Sequence, residues 1–539
     1  METHSNFIKT IMTTDIETGK HKEIITRFPP EPNGFLHIGH ARAIIQNFEL
    51  AKSFDGYTNL RFDDTNPEKE ETKFVEAIIE DVKWLGYEPK AIYFASDYFD
   101  EMYDRAILLI KKGLAYVDDQ TAQQISETRG SLTKPGTPSP YQNRSVEENL
   151  SLFEQMKDGK FKEGEKVLRA KIDMSNPNMN MRDPVLYRIS FDHHHRTKDR
   201  WKIYPMYDYA HPIEDAIEGI THSLCSIEFE DHRPLYDWVV RETEMPEVPR
   251  QIEFGRLNIE NTVMSKRYLR QIVESGLVSG WDDPRMPTLS GMRKRGFTPE
   301  AIKEFILGTG LSKTSNTVST DMLESFVRDD LQTKTPKMMG VINPLKVTIT
   351  NYPDDKIESF EVPMDPNNES LGNKTIYFSK HLYIEQDDFI LEKPNKKWKR
   401  LAKEVEVRLF NTYFIHCHDV VYDQAGNIVE LLVTYDPQTL SGSGFDERKP
   451  NGTIHFVEAS TAKKARFNLY GPLVFDGEGS FMDRLNPNSL EVKEGYVEKA
   501  VEGITGPVQL MRVGYFKLDH KERDIDVYNR VVELKSSFK

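Results

Sequence analysis

RFPPEPNGFLHIGHAR, residues 27–42, ends a strand and begins a helix within one short stretch. Before it, EIITRF (23–28) reads as a short buried strand. Pro29 and Pro30 cannot extend a hydrogen-bonded central strand. Gly34 permits a backbone turn and the close approach of a ligand. From residue 38 to 54 apolar residues recur at helical spacing, which predicts a helix starting near His37. Its free N–H groups and positive dipole end would face a cleft, and such an end binds phosphate. His37 and His40 would add imidazole donors, and Gly39 removes a side chain where a flat base or ribose could lie. Taken alone, this histidine pair reads as ordinary surface-helix residues at roughly three to one.

The pattern continues outward. TNLRFDD (58–64) is a second strand ending in two carboxylates, Asn66-Pro67 stops it, and residues 68–85 form an amphipathic helix. Strand, helix, strand, helix predicts a parallel α/β sheet, whose ligands bind at the C-terminal strand ends. Both odd loops lie at such ends. After about residue 100, turns and PGTPSP (135–140) suggest an inserted α+β unit up to about residue 203. The α/β pattern returns over 204–229, followed by the helix RPLYDWVVRE (233–242) and a strand-like 251–257. NTVMSKR (261–267) then reads as a polar, mobile loop. A lysine on such a loop suits charge on a transferring phosphoryl group; alone, it is equally a solvated basic loop. Residues 281–332 read helical, with a start at Pro299-Glu300, and from about 346 the chain is strand-rich with Gly-Asn and Asn-Gly turns, the pattern of barrels or sandwiches.

The expected fold is therefore multidomain. A Rossmann-like α/β catalytic domain (1–100 and 204–260) carries an inserted α+β domain (101–203). A loop and helical connector (261–335) leads to two C-terminal antiparallel β-barrels (336–539). A chain of 539 residues with 38% hydrophobic and 29% charged content suits a soluble multidomain enzyme. No run approaches the roughly 18 apolar residues of a membrane helix, and the N-terminal segment has no secretory pattern. Cys225 and Cys417 are the only cysteines, which excludes a disulfide framework and points to a reducing, cytoplasmic setting. With 86 acids against 71 bases, the net charge of −15 argues against indiscriminate DNA or membrane-surface binding, while leaving room for a basic face. The run His193 to His195 lacks the four-ligand spacing of a structural zinc site. It is read as a solvated loop, and no structural zinc is expected.

HIGH (37–40) with MSK (264–266) resembles the signature pair of class I aminoacyl-tRNA synthetases. FPPEPNGFLHIGHAR, LRFDDTNP, SPYQNRSVEENL, MRDPVLYRI, YPMYDYAHPIEDAIEGITHSLCSIEF, VMSKR and WDDPRMPTLSGMRKRGF, in that order over about 22–300, resemble the glutaminyl branch of that family, bacterial type. The resemblance implies ATP, with Mg2+, and L-glutamine as substrates. A glutaminyl-adenylate would pass its acyl group to the terminal adenosine of the glutamine tRNA, in a monomeric enzyme. For ATP it points to Glu31, Pro32 and Asn33, and to His37, Ile38, Gly39, His40, Ala41, Arg42 and Ala43. Ser226, Arg256 and Leu257 would meet adenosine and ribose. Met264, Ser265 and Lys266 would hold the phosphates, with Lys266, His37 and His40 as the catalytic groups. Asp63 matches the residue pairing with the α-ammonium, and Tyr207 the phenol at the side-chain amide. Arg27, His211 and Gln251 match outer pocket positions. Glutamyl relatives carry arginine where this chain has Cys225, so glutamine is favoured over a buried γ-carboxylate.

For tRNA, the resemblance implies that Leu132 in RGSLTKPG (129–136) wedges against the acceptor end and that Asp231 accepts from bases in the acceptor minor groove. Arg400, in NKKWKR (395–400), with Gln509, Arg512 and Lys337, would read anticodon bases. Lys397 and Phe410 depart from the family pattern there. Read without the resemblance, NKKWKR is as readily a solvated charge run. A glutamate–tRNA ligase of the same subclass is the alternative function. A non-catalytic tRNA-binding paralogue and a small-molecule nucleotidyltransferase are further ones.

Overall fold

After helix α1 (Phe7–Glu17) the chain enters β1 (Ile25–Phe28), crosses through α2 (Ile38–Lys52) to β2 (Tyr57–Phe62), and through α3 (Thr72–Trp84) to β3 (Ile92–Phe94). The three strands pair in the order β1-β2-β3, all parallel. Thr26, Arg27 and Phe28 are buried in succession, as are residues 58–62, because helices cover both faces of such a sheet. This computed structural model describes residues 6–68, 71–475 and 477–535. Within those bounds the third helix begins at Thr72 rather than 68, and residues 69–70 lie outside them. By contacts the chain forms two units, one of residues 1–259 with 306–318, the other of 260–305 with 319–539.

In the first unit, α4 (Phe99–Lys111) leads into an antiparallel sheet, β4 (Ala115–Asp118), β5 (Val167–Ala170), β6 (Val185–Ile189) and β7 (Ile203–Pro205), in that spatial order. Helices α5 (Ala122–Thr128) and α6 (Val146–Lys157) interrupt it. Because β7 pairs with β6, the parallel pattern resumes only at α7 (Tyr207–Ile217), slightly after residue 204. Phe99, Phe153, Tyr187, Trp201, Tyr209 and Trp238 share one core, so this antiparallel sheet packs together with α7 and α8 (Arg233–Glu242). β8 (His222–Ser226) runs parallel to β9 (Arg250–Phe254). Thr221 joins β8 to β1: its hydroxyl accepts the Ile25 amide at 2.9 Å and its amide donates to the Ile25 carbonyl at 3.0 Å. Ile8 and Met12 of α1 close this core against Leu50, Leu224 and Ile252. Finally β10 (Leu257–Ile259) pairs in parallel with β11 (Asn316–Val318), a strand inside the stretch expected to be helical.

The second unit opens with α9 (Lys266–Glu274) and α10 (Leu289–Arg295), and Thr320–Lys334 is its longest described helix. The expected connector is therefore shared out, 306–318 going to the first unit and the rest to the second. Two seven-stranded sheets follow. One joins Lys337–Met338, Pro507–Leu510, Gly514–Glu522, Ile525–Glu533, Lys463–Tyr470, Leu490–Val497 and Gly340–Val341 in spatial order. The other joins Thr453–Ile454, Glu406–Leu409, Phe414–Tyr422, Ile428–Asp436, Pro344–Ile349, His381–Glu385 and Val457–Glu458. The expectation of wholly antiparallel barrels is corrected here. Pro344–Ile349 pairs in parallel with Ile428–Asp436, and Lys463–Tyr470 with Ile525–Glu533. Long excursions between these partners allow parallel pairing, which a tight hairpin forbids.

Gly255, between β9 and β10, is where the 312–315 segment comes closest. Its amide donates to the Ser312 carbonyl at 2.8 Å, and a Cβ added there would sit 2.0 Å from the Thr314 carbonyl oxygen. Backbone against backbone cannot yield cheaply. Gly255→Ala is expected to destabilise the protein by about 1–3 kcal/mol, read as a lower denaturant midpoint at unchanged slope.

Candidate functional site

Helix α2 caps itself with its own histidines. His37, in extended conformation, accepts the Gly39 N–H on Nδ1 at 3.1 Å, and His40 Nδ1 accepts the His37 N–H at 3.1 Å. Both rings use Nδ1 as acceptor, so in the neutral form the proton sits on Nε2. The rings lie 3.9 Å apart. Two of the amides expected to face a ligand are thus already bonded to imidazole. Ile38, Ala41 and Arg42 are buried, and Pro32 with them, so their side chains serve the domain interior. Arg42 donates to the Thr309 hydroxyl and the Gly310 carbonyl, each at 3.1 Å, and burial lowers its pKa. Gly39, His37, His40 and Ala43 remain partly exposed.

Asp63 follows β2 directly and is 5% exposed. Its amide donates to the Pro30 carbonyl at 3.0 Å, and the Thr65 hydroxyl donates to its carboxylate at 3.0 Å. Burial, then the charge of Glu31, pushes its pKa up to about 6. Glu31 is exposed and accepts from the Asn33 side-chain amide. The proline loop and the β2 end therefore meet at one place.

Behind them lies a buried ionic cluster. Arg27, fully buried, donates from Nε to Asp215 at 2.8 Å, from Nη1 to the Leu224 carbonyl at 2.9 Å, and from Nη2 to His211 Nε2. Cys225 Sγ is 3.7 Å from Nη2. Asp215 also accepts from Ser223 at 2.6 Å and Tyr236 at 2.9 Å, and lies 2.8 Å from Arg61. Although burial opposes it, the facing Arg27, His211 and Arg61 hold the Asp215 carboxyl well below the usual range. Arg61 further pairs with Glu214 and Glu218; burial drives Glu214 well above the usual range and raises Glu218 too. Burial pushes the His211 pKa down, although Asp215 beside it acts the other way. Tyr207, at the start of α7, stacks on His211 with ring centres 5.0 Å apart and lies 5.1 Å from the Phe229 ring. Burial raises its hydroxyl pKa, with Cys225, Arg27 and Asp63 among the groups close enough to act on it. The structure thus brings Arg27, Asp63, Tyr207, His211 and Cys225 together.

Gln251 sits at the edge of this group, its amide donating to the Phe229 carbonyl at 3.0 Å and to Glu253 at 2.8 Å. Ser226 and Arg256 converge on Glu228, the first at 3.3 Å; Leu257 beside them is buried. Asp215, Glu214, Glu218 and Arg61 were not singled out from sequence. Their signal was acids at positions i, i+1 and i+4 at the C-terminal end of the helix and its cap, on the face turned to an arginine of β2.

The histidine run departs from its expected solvated state. His193 is exposed, but His194 is fully buried and the His195 side chain is 8% exposed. Their ligand atoms and those of Asp64 all lie within 4.8 Å of one another. These donors are already spent: His194 Nε2 donates to the Asp64 carbonyl at 2.7 Å while its Nδ1 accepts the Arg196 and Thr197 amides. Asp64 accepts two bonds from Ser96 and one from His195. A metal would have to break this network.

Leu132 is 82% exposed on a hairpin whose base bridges Ser131 and Lys134. Buried Arg182 donates to the carbonyls of Arg129, Ser131 and Lys134, each at 2.9 Å. The Asp231 carbonyl accepts from Asn178 and Asn180. In the second unit, Ser265 is the N-cap of α9 and Lys266 its first residue, so MSK opens a helix instead of lying mid-loop. Lys337 and Gln509 are register partners on adjacent strands, Lys337 also reaching Asp365 at 2.7 Å. Arg400 and Arg512 share Asp388, at 3.5 and 2.6 Å. A cavity of about 420 Å³ in that unit, lined by Val263, Arg285, Met286, Arg295, Tyr470 and Arg530 among others, includes none of the expected site residues.

A family model described as "tRNA synthetases class I (E and Q), catalytic domain" matches residues 23–333. Two models described as "tRNA synthetases class I (E and Q), anti-codon binding domain" match 335–436 and 453–519. A protein named glutamine–tRNA ligase from Clostridium perfringens is 57% identical over 100% of this chain and 99% of its own length. One of the same name from Clostridioides difficile is 57% identical, covering 99% and 98%. A third, from Aliivibrio salmonicida, is 50% identical with the same coverage.

A buried carboxyl whose pKa is raised lowers stability once the folded protein must ionise it. Asp63→Asn is therefore expected to stabilise the fold at pH 7 by roughly 1–3 kcal/mol. The gain should be flat above about pH 6 and fade between about 6 and the ordinary value of 3.8, as measured by denaturant unfolding across pH.

Proposed function

The chain belongs to the class I tRNA synthetases of the glutamate and glutamine group, and from that premise we propose that it joins L-glutamine to its tRNA at the expense of ATP. The observation that carries the choice of glutamine is the electrical state of the pocket. Arg27, the cation nearest Cys225 in the cluster, has its charge answered by Asp215 and its three nitrogens engaged by Asp215, Leu224 and His211. Three carboxyl groups, Asp215, Glu214 and Glu218, face the two guanidinium groups of Arg27 and Arg61. A γ-carboxylate would enter with no surplus positive charge to meet it, and an unpaired buried charge is strongly unfavourable. A neutral amide has no such requirement, and Tyr207 supplies a hydroxyl for it. Asp63, ionised above about pH 6, takes the α-ammonium.

ATP enters with Mg2+. In the first unit, Glu31, Asn33, Gly39 and the Nε2 sides of His37 and His40 bind it, with Ser226, Arg256 and Leu257 at adenosine and ribose. In the second unit, Met264, Ser265 and Lys266 form a phosphate-binding element at the α9 N-terminus, where the helix dipole reinforces the Lys266 charge. A glutamine carboxylate oxygen attacks the α-phosphorus and pyrophosphate leaves. The 2′-hydroxyl of the terminal adenosine then attacks the acyl carbon and AMP leaves. No side chain forms a covalent intermediate; orientation and charge stabilisation supply the rate. Leu132 and Asp231 engage the acceptor end. Lys337 with Gln509, and Arg400 with Arg512, form two reading points for anticodon bases. The reaction is assigned to the cytoplasm, and among the described residues no helix is long and apolar enough to cross a membrane.

Purified protein given ATP, tRNA and each amino acid should charge glutamine at least about 100-fold better than glutamate in kcat/KM; preferential glutamyl-tRNA formation rejects the reading. Lys266→Ala should lower the rate of pyrophosphate exchange about 100-fold while the KM for ATP changes only a few-fold. An unchanged rate removes the lysine from the chemistry.

A further inference from the structure

The segment after Asp63 is held from the inserted domain at three points. Arg188, on β6, donates from Nη2 to the Asn66 side-chain oxygen at 2.9 Å. His194 donates to the Asp64 carbonyl at 2.7 Å, and His195 Nε2 meets the Asp64 carboxylate at 2.9 Å. From the other side Ser96 donates its amide and hydroxyl to the same carboxylate at 2.8 and 2.6 Å, and Arg196 donates to the Ser96 hydroxyl at 2.7 Å. Asp64 is completely buried. A buried carboxylate with this many donors is a fixed point of the backbone.

Its neighbour needs such a fixed point. Asp63 stands close to two like charges, Glu31 and Asp64, both of which oppose its ionisation. Like charges of that kind disfavour the ionised form, so the position in which the backbone holds Asp63 matters to any cation it is to meet. We propose that His195, through Asp64 and together with Arg188 and His194, is a positioning residue for Asp63 and so sets the affinity for the substrate α-ammonium. The inference rests on the reading of Asp63 given above. The histidine run, which lies on the connection between β6 and β7, thereby gains a role.

The test compares His195→Ala, His195→Gln, Arg188→Ala and Asp63→Asn in steady-state aminoacylation. Alongside, each is inhibited with 4-carbamoylbutanoate, glutamine without its α-amino group. His195→Ala should raise the KM for glutamine about 10-fold, with the KM for ATP and the melting temperature close to those of the parent. Its inhibition constant for the deamino analogue should stay unchanged, because only ammonium recognition is touched. His195→Gln should restore the glutamine KM, since its side-chain amide N–H replaces Nε2–H. If His195→Ala does not fold, Arg188→Ala must show the same selective rise. Equal weakening of glutamine and the deamino analogue, or an unchanged glutamine KM where Asp63→Asn raises it, overturns the proposal. An unchanged KM in Asp63→Asn would instead overturn the reading of Asp63 itself.

Discussion

The ion pair between Arg27 and Asp215 is the constraint around which the first unit is assembled. Both side chains are fully buried, so neither charge has water to fall back on. Leaving one of them alone costs roughly 3–5 kcal/mol. That forces β1, which carries Arg27, α7, which carries Asp215, and β8, which offers the Leu224 carbonyl and Ser223, into one arrangement. Arg61 on β2 extends the same logic to Glu214 and Glu218. Packing alone would tolerate small slips between these elements; a hydrogen-bonded charge network does not. The pocket wall is a by-product of that rigidity, with Tyr207 and Cys225 placed by the same helix and strand.

Against this stiff background, the groups proposed to meet substrate are the uncomfortable ones. Asp63 is a carboxylate that the fold would rather protonate. The first turn of α2 spends its histidines on its own amides. Lys266 begins a helix whose dipole has the same sign as its own charge, an arrangement unfavourable until an anion arrives. Such local conflict is expected where a site has been arranged for something other than stability.

Much of the order was readable beforehand, for local reasons. Prolines at 29 and 30 end a strand, Asn66-Pro67 ends another, and periodicity marks α2, so the parallel start of the chain follows from neighbours in sequence. The family was legible because HIGH, MSK and the intervening motifs are contiguous words, and the family models match the same stretch. What was not legible depended on distant partners. Nothing near residue 194 shows that it will be buried against residue 64. A strand at Asn316–Val318 exists because β10 accepts it, not because its own residues demand it. The parallel pairs in the C-terminal sheets arise from long excursions that turn chemistry cannot announce. Nothing near residue 27 announces that the partner of Arg27 is Asp215, far along the chain.

The pairing of Lys337 with Gln509 has a consequence in time. The two strands meet although about 170 residues separate them, and Gly340–Val341 likewise waits for Leu490–Val497. During synthesis, the opening segment of that sheet leaves the ribosome without its neighbours and stays an open edge until the carboxyl-terminal part emerges. A prematurely terminated chain would therefore lack the pairing of Lys337 with Gln509 altogether instead of carrying a weakened version of it.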